Sequence, residues 1–378
     1  MSKPEMRALA CGVFLAVCVA DLAAHPQPRV FGGGSVLATI PPEAAYCAGQ
    51  PGCNGGFPEG VAVVADLVYV TGPATFGTAG KGPSLVTVIA KSTGRRVAEI
   101  PIVGENTADE HALSGIAPDA KGNIYVLSTQ LGVVRIARHG HGYTQSSYAP
   151  ALPDLPICTV DGPSPCSPTP VDLPPLTNEM TFDDDGWLYV SDSLQATIFR
   201  IPPGGGTPEP WFQSPLLAGN LAAPLPFGTN GIKVSPARDY LYVIETFDPT
   251  DASLGQVYRI PLVDQPDPAD LELFASSADS AVPDSLVFGK SGRLYVSLAG
   301  SNQIAVLAQD GAEITRISGP AGSPIPFDGP ATMAFDDASK SLLVANHAIF
   351  GNPAHQAILR VFVGEKGDPY PGRPHRRH

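Results

Sequence analysis

Short apolar runs recur along this chain as pairs, and a polar turn separates the two runs of each pair. Six pairs align with one another: "EGVAVVADLVYVTG" from Glu59, "SGIAPDAKGNIYVLS" from Ser114, "NEMTFDDDGWLYVSD" from Asn178, "NGIKVSPARDYLYVIE" from Asn230, "DSLVFGKSGRLYVSL" from Asp284 and "ATMAFDDASKSLLVAN" from Ala331. Runs rich in β-branched and aromatic residues, bounded by turn residues, are typical of β-strands. Each pair therefore predicts a hairpin, and a third strand often follows, as in "ATIFRI" and "GQVYRI".

The spacing of these units predicts how they assemble. Their starts are 55, 64, 52, 54 and 47 residues apart. A repeat near 50 residues with about four strands is typical of β-propeller blades, which bury their faces only against neighbouring blades. We therefore predict an all-β, six-bladed β-propeller over residues 25–366. The last unit supplies three clear strands, so "SVLATI" at 35–40 is expected to join it and close the ring. A pair of separate β-domains is the alternative.

Composition agrees with this architecture and narrows the function. The 378 residues include 40 Gly and 41 Pro, which suits short strands joined by turns and argues against helices. The net charge of −13 makes nucleic acid an unfavourable partner. The basic end, "RPHRRH", is expected to belong to a disordered tail at 367–378.

The N-terminus predicts export. Lys3 and Arg7 precede the apolar run "ALACGVFLAVCVA", and small residues follow it, a pattern typical of a signal peptide over residues 1–24. A buried helix or a membrane anchor is the alternative, although the run is short for a membrane span. We expect a secreted or periplasmic protein with no membrane attachment after cleavage. The sequence leaves the oligomeric state open.

Cysteine usage fits an oxidising compartment. Four cysteines remain after the predicted signal peptide, and an even number in an exported chain favours disulfides. Proximity along the chain pairs Cys47 with Cys53 and Cys158 with Cys166. Neither pair has CxxC spacing, so zinc binding or thiol redox chemistry is not indicated.

Three consecutive carboxylates, Asp183, Asp184 and Asp185, could be mistaken for a metal site. They align with the turn between the first two strands of the other units, and Asp is favoured in turns because its side chain bonds local backbone groups. We interpret them as a hairpin turn.

The first residues of the six units have a different significance. Innermost strands of a propeller surround a central channel, so equivalent first positions form a ring. The ring reads Glu59, Ser114, Asn178, Asn230, Asp284 and Ala331. Two carboxylates and two amides are oxygen ligands suited to Ca²⁺, with other divalent cations as alternatives. Strand-start turn chemistry is the competing interpretation, but it leaves two buried carboxylates unpaired.

These motifs resemble a known family. "PEGVA", "TNEMTFDDDGWLYVSDS", "NGIKVSPARDYLYV" and "PDSLVFGKSGRLYVS" look like the six-bladed family of gluconolactonase, regucalcin (senescence marker protein) and related lactonases, over nearly all of residues 57–363. The resemblance implies a calcium site formed by Glu59, Asn178, Asn230 and Asp284. Ser285 departs from the glycine usual after the Asp, and Glu179 stands where the family often has Asp.

The resemblance also implies a reaction. The calcium would act as a Lewis acid in the hydrolysis of a lactone or related ester, with Asp284 as general base. His111 and His347 are candidates for substrate contact, and Glu179 and Thr229 could contact substrate or orient ligands. Each of these four could equally be an ordinary loop or strand residue.

Three rival functions remain open. A non-enzymatic propeller would use the fold for binding, with calcium in a structural role. A phosphotriesterase-like hydrolase could use the same metal arrangement, whereas strictosidine-synthase-like condensation is less suited because those relatives generally lack this ligand set. No GxSxG, HExxH or P-loop motif occurs, so a serine hydrolase, zincin or phosphate-binding loop is not indicated.

Overall fold

A computed structural model describes residues 29–41, 55–140 and 142–369. The predicted signal peptide, Cys47 and Cys53, and the segment 370–378 lie outside the described residues. Within these ranges, twenty-four strands form six four-stranded antiparallel sheets arranged as propeller blades, which confirms the predicted fold class.

The first three blades follow one another along the chain. Blade 1 contains β2 (Val61–Val64), β3 (Leu67–Gly72), β4 (Leu85–Ala90) and β5 (Arg96–Pro101). Blade 2 contains β6 (Leu113–Pro118), β7 (Ile124–Ser128), β8 (Gly132–His139) and β9 (Gly142–Ala149). Blade 3 contains β10 (Thr177–Phe182), β11 (Leu188–Asp192), β12 (Thr197–Ile201) and β13 (Glu209–Gln213).

The remaining blades complete the ring. Blade 4 contains β14 (Thr229–Val234), β15 (Tyr240–Glu245), β16 (Gly255–Pro261) and β17 (Glu272–Ser277). Blade 5 contains β18 (Pro283–Phe288), β19 (Leu294–Leu298), β20 (Gln303–Leu307) and β21 (Glu313–Ile317). Blade 6 contains β22 (Pro330–Asp336), β23 (Ser341–Asn346), β24 (Ala357–Phe362) and, from the N-terminal side, β1 (Gly34–Thr39). β1 pairs with β24, so the predicted ring closure is confirmed.

The first strand of each blade lines the axis. β2, β6, β10, β14, β18 and β22 contact one another in order, and β22 returns to β2. We call the face where these innermost strands begin the upper face and the opposite one the lower face. Within the described residues, the helices are 3-10 turns of three residues, and none has the length or apolar character to cross a bilayer.

Contacts between blades explain the repeated "LYV" motif. Six clusters of buried apolar side chains lie between neighbouring blades. The motif tyrosine often packs edge-to-face on a phenylalanine that ends the innermost strand of the next blade. The ring centroids are 4.9 Å apart for Tyr125 and Phe182, and 5.0 Å apart for Tyr242 and Phe288. Such aromatic pairs add about 0.5–1.5 kcal/mol each beyond the burial of their apolar area.

The triple aspartate is a turn, as predicted. β10 ends at Phe182 and β11 begins at Leu188. Asp183 accepts hydrogen bonds from the backbone N–H groups of Asp185 and Trp187 and from the Tyr189 hydroxyl. These local bonds occupy the carboxylate, so it stabilises the hairpin.

The long connection from blade 2 to blade 3 carries the predicted disulfide. Cys158 and Cys166 are bonded, with their Cα atoms 4.9 Å apart. The chain remains in contact with the propeller through Pro369, three residues into the predicted tail. Residues 364–369, here called the C-terminal strap, cross the lower face.

Candidate functional site

The upper end of the channel holds the two carboxylates of the predicted ring. Glu59 and Asp284 both lie deep at the start of the innermost strands, where burial raises the pKa of each carboxyl group. For Asp284, burial raises the pKa to about 7, a hydrogen bond from Asn230 lowers it, and the charge of Glu179 raises it. For Glu59, the nearby carboxylates of Asp284 and Glu179 add to the effect of burial on the pKa. Three carboxyl groups therefore influence one another at this end.

The two ring amides are held by hydroxyl groups of their own blades. Asn178 Nδ2 donates to Ser193 Oγ at 3.0 Å, and Ser193 donates to the Thr229 carbonyl at 2.7 Å. Asn230 Nδ2 donates to Thr246 Oγ1 at 3.0 Å. Because these bonds use the amide nitrogens, each amide plane is fixed with its oxygen left as an acceptor.

The hydroxyl groups also link one blade to the next. Thr246 donates onward to the Pro283 carbonyl at 3.1 Å, one residue before Asp284, just as Ser193 donates to the residue before Asn230. Sequence reasoning missed both hydroxyls. The sequence could have revealed them by their shared position: each lies 15 or 16 residues after a ring asparagine and directly after the end of its blade's second strand.

The other two ring positions do not offer charged ligands. The Ser114 hydroxyl donates to the Thr177 carbonyl of the next blade at 3.0 Å, and Ala331 is fully buried. The side-chain oxygen donors of the ring that remain are the four predicted ligands: Glu59, Asn178, Asn230 and Asp284. Within the described part of the chain, no three or more His, Cys, Asp or Glu side chains group closely enough to hold a metal. A cation here would depend on the two amide oxygens.

His347 contacts one of the candidate ligands directly. Its Nδ1 lies 3.2 Å from Glu59 Oε2, while its Nε2 donates to the Ala74 carbonyl at 2.8 Å. Burial lowers the pKa of His347 to about 4, and the Ala74 hydrogen bond opposes that change. A neutral imidazole with its proton on Nε2 presents a lone pair at Nδ1. That lone pair faces Glu59 Oε2.

The remaining predicted contact residues have other partners. His111 is buried, with its two ring nitrogens 2.8 Å from the carbonyl oxygens of Asp109 and Gly82. Thr229 is also buried, and its hydroxyl donates to the Asp192 carbonyl. These bonds anchor loops and blades. A substrate contact by His111 or Thr229 stays a prediction.

Glu179 follows the ring position of blade 3 and pairs with a residue that sequence reasoning missed. Lys233 Nζ lies 2.9 Å from Glu179 Oε1, and Ser285 Oγ donates to Glu179 Oε2 at 3.0 Å. The aligned units contain a pattern that could have predicted this ion pair. One position after the ring residue reads Gly, Gly, Glu, Gly, Ser, Thr, and the third position after it reads Ala, Ala, Thr, Lys, Val, Ala. Glu179 and Lys233 are the charged members of these two sets, and their charges are opposite.

Glycine at the first of these positions lets neighbouring strands approach. A Cβ atom on Gly231 would lie 2.7 Å from the Asp284 carbonyl oxygen and 3.0 Å from Glu179 Oε2. A Cβ atom on Gly115 would lie 2.8 Å from the Glu179 Cα. Larger residues there would displace the Glu179 side chain or separate the blades.

Below this ion pair the channel changes character. The lower ends of the innermost strands enclose a cavity of about 230 Å³, lined by apolar side chains such as Met180, Val234, Phe288 and Met333. Charged groups lie at its edge, and Arg238 contacts Asp368 of the C-terminal strap at 2.6 Å. The ring of oxygen donors and this cavity, lined by both apolar and charged side chains, thus occupy opposite ends of one channel.

The donor set fits a hard divalent cation. Among the described residues, no Lys or Arg pairs with Glu59 or Asp284, so their ionised forms face one another without a balancing charge. Two carboxylates and two fixed amide oxygens are the ligand types that Ca²⁺ accepts. Calcium would remove the repulsion that raises the pKa of these carboxyl groups.

Comparison with known proteins agrees with the fold. No family model matches the sequence, and no curated protein matches it. The structure is similar to that of a calcium-binding protein, regucalcin, from Agrobacterium tumefaciens, with a TM-score of 0.58 and 16% identity over 91% of this chain and 98% of that one. A gluconolactonase from Xanthomonas campestris gives a TM-score of 0.53 and 15% identity over 90% of this chain and 99% of that one.

A third similar structure belongs to a protein named for binding and not for catalysis. An auxiliary nutrient binding protein from Bacteroides thetaiotaomicron gives a TM-score of 0.53 and 12% identity over 82% of this chain and 70% of that one. At such identities the likeness concerns the fold alone. The resemblance predicted from the motifs is confirmed at that level: this chain has the six-bladed propeller fold of the regucalcin and gluconolactonase structures.

Proposed function

We propose that the protein is an exported, calcium-dependent hydrolase of a lactone or related ester. The observation that carries the proposal is the pairing of two carboxylates, the buried Glu59 and the partly buried Asp284, with two fixed amides at one end of the channel. Bound calcium would polarise the ester carbonyl and stabilise the developing negative charge. Glu59, Asn178, Asn230 and Asp284 would hold it.

Asp284 is the general base of the proposed reaction. Its carboxylate would take a proton from a water molecule as that water adds to the carbonyl carbon. The proton would then pass to the leaving alkoxide oxygen when the ester C–O bond breaks. Asn230 supports this role, because its hydrogen bond favours the ionised form of Asp284. His347 lies against Glu59 and is held in place by the bond from its Nε2 to the Ala74 carbonyl.

Calorimetry with calcium on chelator-treated protein tests the proposal, with γ- and δ-lactone hydrolysis followed on the same samples. We expect one calcium to bind to the wild type, and Asp284→Ala to lose both calcium and turnover. Calcium binding without turnover of lactones, esters or phosphotriesters would favour a binding propeller with structural calcium, the rival function. Absence of calcium binding would contradict the metal site.

Export is part of the proposal. The signal-like residues 1–24 and the disulfide between Cys158 and Cys166 support it, because disulfides persist in oxidising compartments. N-terminal sequencing of the mature protein from its own cells checks this. A start between residues 21 and 25 is expected, and an intact N-terminus in a cytosolic fraction would contradict it.

A further inference from the structure

We propose that the substrate at the upper end of the channel is apolar and carries no negative charge. This names a substrate class and rests on the proposed hydrolase function. The first observation is a pair of exposed aromatic residues. Phe76 and Phe350 are 62% and 80% exposed. They lie in the upper connections of blades 1 and 6, between β3 and β4 and between β23 and β24. Burying such a side chain is worth about 1.5–3 kcal/mol, so each offers binding energy to an apolar ligand.

Both phenylalanines follow closely, along the chain, residues that lie at the channel mouth. The contact of His347 Nε2 with the Ala74 carbonyl joins the same two connections, and His347 also contacts Glu59. Phe76 follows Ala74 by two residues and Phe350 follows His347 by three, so their Cα atoms lie at most about 7 and 11 Å from those anchors. An apolar substituent on a substrate held at Glu59 is therefore within reach of these rings.

Charge on the upper face restricts the ligand further. Lys81 is the single Lys or Arg in the upper connections that the structure describes. Exposed carboxylates in those connections include Asp109, Glu110, Asp154, Asp161, Asp251 and Asp279. A field of one sign slows the approach of ligands of the same sign, most strongly at low ionic strength. An anionic substrate is disfavoured here, while a neutral one is not.

The same field suits the products of the proposed reaction. Water adds to the carbonyl carbon of a neutral lactone, the ring C–O bond breaks, and the freed oxygen takes the proton. The product is a hydroxycarboxylic acid, which ionises to a carboxylate near neutral pH. The exposed carboxylates of the upper connections therefore repel the product but not the substrate, which favours product release.

Matched lactones test this inference. With calcium present, kcat/KM is compared for γ-lactones of one ring size that carry an alkyl chain, several hydroxyl groups, or an alkyl chain ending in a carboxylate. We expect the alkyl lactone to exceed the other two by at least about tenfold at low salt, since each 1.4 kcal/mol of differential binding is worth about tenfold. The ratio of kcat/KM for the alkyl lactone to that for the carboxylate lactone should decrease at high salt, because salt screens the repulsion of the carboxylate.

Variants locate the effect. The double variant Phe76→Ser/Phe350→Ser should lose about tenfold on the alkyl lactone and little on an unsubstituted one. Phe31→Ser is the matched control, because Phe31 is also exposed but lies on the lower face next to the end of β24. Equal or better turnover of the hydroxylated or carboxylate lactone, or an unchanged preference in the double variant, would overturn the inference.

A binding measurement separates this inference from the proposed function. Non-hydrolysable lactams with the alkyl or the carboxylate chain are titrated into the calcium-loaded protein by calorimetry. Tighter binding of the alkyl lactam, weakened in the double variant, supports the substrate class even if no lactone is turned over. Failure of the alkyl lactam to bind, or equal binding of the carboxylate lactam, would overturn it.

Discussion

The two ends of the axial channel are formed by the same six strands but have opposite chemistry. At the upper end four of the six strands begin with the ring's oxygen donors, and burial raises the pKa of Glu59 and of Asp284. At the lower end the strands finish mainly in apolar side chains around a cavity, and the Asp336 carboxylate is paired with Lys91. Burial raises the pKa of Asp336, but the Ser339 hydroxyl and the Lys91 ammonium outweigh this effect and hold the pKa below its ordinary value.

This difference shows where stability and function separate. A carboxylate that has a cation partner stabilises the fold, because its charge is compensated. A buried carboxylate without one destabilises the fold and is available to a ligand. The Glu179–Lys233 pair marks the boundary, and the C-terminal strap covers part of the lower end.

The largest expected effect is at Asp284. Asp284→Asn keeps the shape of the side chain but removes the general base, so hydrolysis should fall by about 10²–10⁴-fold. Asp337→Asn is the matched control at the lower end, where Asp337 accepts a hydrogen bond from the Gly367 N–H of the strap. Steady-state kinetics on both should show the loss in the first variant alone. Comparable losses in both would mean that the two ends do not differ in function.

Removal of the boundary cation should destabilise the whole protein. Lys233→Met leaves Glu179 buried and without its ion-pair partner, which typically costs about 3–5 kcal/mol. Urea unfolding measures the loss. The double variant Glu179→Met/Lys233→Met should recover most of it, because neither charge then remains. A Lys233→Met protein as stable as the wild type would show that the pair does not compensate charge.

Glu245 tests the pH behaviour of the upper end outside the candidate site. Both of its carboxylate oxygens are buried without a hydrogen-bond partner, and burial and the charge of Asp248 raise its pKa to about 9. The folded protein therefore holds this proton up to about pH 9, whereas the unfolded chain releases it near the ordinary pKa of 4.5. Folded protein binds more protons between those values, so stability should fall as pH rises through that window.

Glu245→Gln should remove that dependence. The variant is expected to match the wild type near pH 4 and to exceed its free energy of unfolding by on the order of 2 kcal/mol at pH 6, since each tenfold difference in proton affinity between the folded and unfolded states is worth about 1.4 kcal/mol. Urea unfolding across this range measures it. Asp192→Asn is the contrast at the equivalent strand end of blade 3, because Asp192 accepts bonds from Leu194 and from Gln195. It should destabilise the protein, and a gain there would contradict the account.

The smallest expected effect is at the strap. Arg238 donates to the Asp368 carboxylate and to the Pro369 carbonyl, so Arg238→Gln should lose about 1–2 kcal/mol. Hydrolysis should stay unchanged, because the strap lies away from the ring. Faster cleavage after Lys366 by a lysine-specific protease measures the release of the strap. Altered kcat would show that the lower end acts on the reaction.

Much of the fold followed from the sequence by itself. Hydrophobic runs at a repeat near 50 residues determined the hairpins, the six blades and the closing strand, since each blade must bury its faces against neighbours. Equal register across the repeat placed Glu59, Asn178, Asn230 and Asp284 at one end of the channel. Turn chemistry also explained why Asp183 belongs to a hairpin turn and not to the ring of donors.

Only the tertiary structure decided which side chains meet across blades. Glu179 and Lys233 are 54 residues apart, and the pairing of His347 with Glu59 spans nearly the whole propeller. Such contacts depend on ring closure and on where each side chain points, neither of which a repeat pattern specifies. The unpartnered state of the Glu245 carboxylate oxygens and the position of the strap over the lower end likewise arise from three-dimensional packing.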